Sequence, residues 1–72
     1  MPDQRSTQDQ IEYLAVLLDD QEWPELAAWV RGEPLPDGYD IFYVVKVASK
    51  EAVLHGLYDA DDWLKRKLPE EE

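Results

Sequence analysis

The chain has no cysteine and a single histidine, His55, among its 72 residues. That removes a disulfide framework, a thiolate site and a structural zinc site from the ways it could be stapled together. Domains this short bury only about 60% of the surface that their unfolded chains expose, and many rely on such staples. Here stability has to come from packing, self-association or a partner. The apolar supply is adequate, at 44% of residues, with Trp23, Trp29, Trp63 and four tyrosines among them. The expectation is one domain over 1–72, with residues 1–6 an N-terminal tail and 70–72 an acidic C-terminal tail.

Met1 to Gln10 is polar and lacks the apolar stretch of a secretory signal. The longest apolar run, Ile41 to Val45, is far too short to span a bilayer. A reducing cytoplasm is the expected compartment.

The net charge is −10, from 17 acids against 7 bases. Such a chain is repelled by phosphate backbones and anionic membranes, so direct contact with nucleic acid or lipid head groups is not expected. The charge is uneven along the sequence. Residues 1–45 hold ten acids and only Arg5 and Arg31, a net −8. Residues 46–69 hold four acids and five bases, a net +1, and Glu70 to Glu72 add −3. The negative potential should therefore be strongest on surfaces built by the N-terminal half.

Thr7 followed by Gln10 is a weak capping box, and Ile11, Leu14, Ala15, Leu17 and Leu18 recur at helical spacing, which predicts a helix over 8–20. Acids at its end, Asp19, Asp20 and Glu22, oppose the helix dipole. They are there for another reason, or the chain turns directly into the next element. Pro24 suits a first helical position and Gly32 a stop, which predicts a second helix over 24–31. Glu33 to Gly38 reads as a loop with a turn at Pro36-Asp37-Gly38.

Tyr39 to Ala48 is dense in β-branched and aromatic residues, which predicts a strand with Ile41, Tyr43, Val45 and Val47 on one face. A lone strand cannot satisfy its backbone. Ala52 to Tyr58 is the local pairing candidate. The rival reading makes Ser49 an N-cap and 50–57 a helix, opposed by Gly56, and then the strand pairs with a second copy in a homodimer. Asp59, Asp61 and Asp62 ahead of Trp63 and Leu64, with Lys65, Arg66 and Lys67 after them, match a helix dipole and predict a last helix that Pro69 stops. The expected fold is α+β, in the order helix, helix, strand, strand, helix, with a β-hairpin.

Catalytic equipment is sparse. The nucleophile candidates are Ser6, Thr7 and Ser49, and His55 is the only imidazole. A Ser49–His55 pair would have to meet across the hairpin, with no sign of an oxyanion hole. Asp59-Ala60-Asp61-Asp62 begins like a calcium loop, but Leu64 stands where that loop needs glycine. No enzyme activity, cofactor or metal is expected.

What remains is binding to another protein. Candidate contact residues are Glu12, Asp19, Asp20, Glu22, Glu25, Glu33, Asp37 and Asp40, whose carboxylates can stand in for phosphates in a basic nucleic-acid-binding groove, and Trp29, from a residue class that often dominates interfaces. In general physical character the chain resembles the DNA-mimic inhibitors that phages and mobile elements make against host nucleases, restriction enzymes or CRISPR effectors. That resemblance rests on size and charge and carries over no residue. The alternative is an interaction or assembly module, a regulatory subunit or antitoxin-like protein, bound through apolar aromatic surface.

Overall fold

In a computed structural model, residues 5–69 are described, and all the regular structure among them is helical. The assigned ends of the chain, 1–4 of the N-terminal tail and 70–72 of the acidic tail, lie outside the described residues.

Ser6 opens α1 (Thr7–Asp20), its hydroxyl accepting from the Asp9 N–H at 3.2 Å. The cap is thus one residue before Thr7. Gln10, Ile11, Leu14, Ala15 and Leu18 form its buried face. The helix ends in a Schellman turn: Glu22 N–H donates to the Asp19 carbonyl at 3.1 Å and Trp23 N–H to the Leu18 carbonyl at 2.9 Å. Glu22 takes the left-handed position at φ 64°, usually occupied by glycine. Pro24 follows at once as the first residue of α2 (Pro24–Val30). The same turn ends α2, with Gly32 at φ 112° and Glu33 N–H on the Ala28 carbonyl at 3.0 Å.

The β-hairpin is not formed. Tyr39 to Ala48 is not a strand and Ala52 to Tyr58 is not its partner, because one helix, α3 (Ile41–Leu54), runs through both. Adjacent Val44 and Val45 are both buried, as are Ala48, Ser49 and Ala52, whereas Tyr43 is 53% exposed. That is the 3.6-residue period, and alternation would have buried Tyr43 with Val45. β-Branched residues cost a helix only tenths of a kcal/mol each, about 0.7 at most, and burial of one continuous stripe outweighs this. The rival helix over 50–57 starts too late, since Asp40 caps α3 by accepting from Phe42 N–H at 3.0 Å. Gly56 does not oppose the helix but ends it. At φ 72° it donates to the Val53 carbonyl, and Leu57 N–H donates to the Ala52 carbonyl at 2.8 Å. The fold is a small all-helical domain rather than α+β, and the reason for a dimer through a strand edge disappears with the strand.

The last helix, α4 (Tyr58–Lys65), has no side-chain cap of its own at Leu57. Gln10 of α1 supplies one. Its side-chain carbonyl accepts from Asp59 N–H at 3.0 Å and from Ala60 N–H at 3.2 Å. Its amide donates to the Arg5 carbonyl at 2.9 Å and the Asp59 carboxylate at 3.2 Å. Gln10 is wholly buried. Helices α1 and α2 pair, α3 and α4 pair, and α1 packs across both members of the second pair. The Cα trace measures 34 × 31 × 18 Å, two helices thick given helix diameters of about 10 Å. Leu14, Leu18, Leu26, Val44, Leu57 and Leu64 are the large apolar side chains sealed in the layer between.

Candidate functional site

The eight acids that the sequence singles out, Glu12, Asp19, Asp20, Glu22, Glu25, Glu33, Asp37 and Asp40, are all exposed. Asp9, Glu12, Val16, Asp19 and Asp20 fall within an arc of about 100° on α1, and all five face solvent. The helix TQDQIEYLAVLLDD carries no basic residue. Two of the eight also have structural work. Asp19 pairs with Arg31 at 2.8 Å, tying the end of α1 to the end of α2, which gives one reason for an acid at that helix terminus. Both partners are substantially exposed, so the pair contributes at most about 1 kcal/mol. Asp40 is the α3 cap.

Trp29 lies in the core at 9% exposure, and Trp23 and Trp63 are half-buried against it. The Lys67 ammonium sits 4.3 Å from the centre of the Trp63 ring and 5.6 Å from that of Trp29. The exposed aromatics are Tyr39, Phe42, Tyr43 and Tyr58.

Ser49 and His55 go to different neighbours. Ser49 donates to the Asp61 carboxylate on α4. The His55 ring lies 3.1 Å from the Glu51 carboxylate and meets Tyr13 of α1 edge-on. Asp61 also pairs with Lys65 at 3.0 Å, and Asp62 with Arg66 at 2.8 Å. No group of three acid or histidine side chains among the described residues could hold a metal ion. No helix among them is long and apolar enough to cross a membrane.

One feature was hidden by reading residues 39–48 as a strand. A groove of about 470 Å³ runs along α3 beside the C-terminal end of α4. Val45 and Ser49 form its floor, and Phe42, Val53, Leu54 and Leu68 its apolar walls. Lys46 and Lys50, one turn apart on α3, and Lys65 from α4 stand around it. Glu51 accepts from Gln21 at the end of α1, and Phe42 lies about 180° around α3 from Glu51 at 100° per residue. The groove is therefore on the flank of α3 turned away from α1. The helical pattern Phe42, Lys46, Lys50, Val53 was visible in the sequence, but only to a helical reading of the segment.

No family model, curated protein or solved structure matches the chain.

Proposed function

We propose that the chain is a non-enzymatic protein-binding domain that inhibits by charge mimicry. Its acidic α1–α2 surface occupies a basic, nucleic-acid-binding groove on another protein, as anti-restriction and anti-CRISPR proteins of phages do. The observation that supports this is the α1 stripe: four carboxylates on one solvent arc of a helix with no basic residue on it. Carboxylates on a preformed helix need no backbone ordering on contact, and the field they sum to speeds encounter with a basic groove.

The test is capture of partners from nuclease-treated lysate, at low and high salt, with duplex DNA and RNA as competitors. The expected partner binds nucleic acid itself, is released by salt and is displaced by the competitor. Glu12→Lys with Asp20→Lys, which spares the Asp19–Arg31 pair, should abolish capture. Capture that survives both the charge reversal and high salt would sink the proposal.

The other reading, an assembly module bound through aromatic surface, draws on Phe42 and Tyr43, which are exposed, rather than on Trp29. Here Phe42→Ala would lower capture and salt would change it little.

A further inference from the structure

We infer that the groove beside α3 is a second binding site, of opposite polarity to the acidic face, and that it takes an acidic amphipathic helix from a partner protein. This rests on the groove alone and stands whether or not the α1 stripe mimics a phosphate backbone.

Three observations select that occupant. The walls are apolar and open, with Phe42 and Val53 each 45% exposed and Leu54 68%. They cover one side of a ligand rather than enclose it, as helix-binding grooves do. An enclosing pocket would suit a small amphiphile better. Next, the described residues contain no strand whose edge could pair with an extended peptide, and Phe42 is the one aromatic among the groove's lining residues, too few for the aromatic-lined docking of a polyproline segment, so side-chain anchors at helical spacing fit the groove best. Last, the groove inverts the sign of the molecule. Lys46 and Lys50 form no ion pair among the described residues, and Lys65 adds a third ammonium from the other helix, bound to Asp61. A partner helix with a leucine-rich stripe and glutamates beside it would seat the stripe on Phe42, Val53, Leu54 and Leu68 and place carboxylates near lysines of both helices. At physiological salt, charges interact over about 8 Å. These lysines, rather than the distant α1 acids, then set the local preference.

The experiment uses a fluorescent 18-residue helical peptide, designed for the test, with leucines at i, i+3, i+4 and i+7 and glutamates flanking them. A control peptide keeps the leucines and has lysine at the flanks. Anisotropy should show saturable binding of the glutamate peptide and none of the lysine peptide. Lys46→Glu with Lys50→Glu should weaken it by about tenfold, and Val53→Asp should abolish it. All three positions are exposed, and the helical circular dichroism of each variant shows that it folds. Glu12→Lys with Asp20→Lys should leave peptide binding unchanged, which separates this site from the acidic face. Equal or tighter binding of the lysine peptide would overturn the inference, since net charge would then govern. Displacement of the peptide by dodecanoate at equimolar level would assign the groove to a small amphiphile instead. A dimer in sedimentation that Val53→Asp dissociates would assign it to a second copy of this chain.

Discussion

Gln10 is the residue on which the most structure converges. It is buried without charge and uses both ends of its amide, the carbonyl for two N–H groups of α4 and the nitrogen for a backbone carbonyl and the Asp59 carboxylate. A helix start buried without a cap leaves N–H groups unsatisfied, at about 1–3 kcal/mol for a lost partner in the interior. Gln10→Ala should therefore lower the unfolding free energy by about 2–3 kcal/mol, seen as a lower urea midpoint at unchanged slope. Gln10→Glu keeps acceptors for both N–H groups but turns a second carboxylate toward Asp59. It should be about as damaging as alanine at neutral pH. A shift within experimental error for both would mean that water replaces the cap at no cost. The sequence shows a glutamine three residues after Thr7, which suggests a local capping role. Nothing local reveals a recipient 49 residues away.

At the scale of the element, three of the four helices end in the same turn, and they differ in what occupies its left-handed position: Glu22, Gly32 and Gly56. This gives a paired experiment. A Cβ at Gly32 would meet nothing within 4 Å, so Gly32→Ala tests backbone strain alone and should cost about 1–2 kcal/mol. Glu22→Gly runs the same comparison in reverse and also removes a negative charge from a helix C-terminus. Relief of a left-handed penalty of about 1–2 kcal/mol, less about 0.4–1 kcal/mol for the greater freedom of glycine in the unfolded chain, should leave a net stabilisation of about 0.5–1 kcal/mol. Thermal melts measure both, with about 4–8 °C per kcal/mol in a domain this size. Equal melting temperatures for wild type and both variants would show that φ 64° and φ 112° carry no strain. Helix ends were also where the sequence was most legible. Pro24 and Gly32 mark boundaries close to those observed, and the charge order from Asp59 to Lys67 locates α4, although that helix ends at Lys65, a turn ahead of Pro69. The failure lay in α3. Val and Ile are read as strand formers because they fit a half-buried pleated surface, a preference that tertiary context overrides. Asp40 as a cap and Gly56 as a terminator were both present, but each means helix only once the interval between them is taken as one element. With α3 read as a strand, Phe42 and Lys46 shared a face, but Val45 fell on the opposite one and Lys50 in the connection after it.

The charge of the whole molecule is polarised along the chain, with ten of its 17 acids at or before Asp40 and five of its seven bases between Lys46 and Lys67. Self-repulsion within the acidic part opposes compaction, and salt screens it. Raising sodium chloride from about 0.02 M to about 0.15 M shortens the screening length from over 20 Å to about 8 Å and should raise the melting temperature. Glu12→Lys with Asp20→Lys should raise it at low salt and flatten its salt dependence. Together with loss of capture, that outcome would mark the acids as residues kept at the expense of stability. Unaltered salt dependence would show that the repulsion is too diffuse to matter. The cap that joins α1 to α4 has a temporal side as well. As the chain is made, Gln10 emerges 49 residues before Asp59, so the first helix is born with its one buried amide still in water. A domain folds as a unit, and the interior of this one is completed only when α4 has been made. A ribosome-stalled chain ending before residue 58 would thus be soft to protease along α1, and the arrival of α4 would lock it.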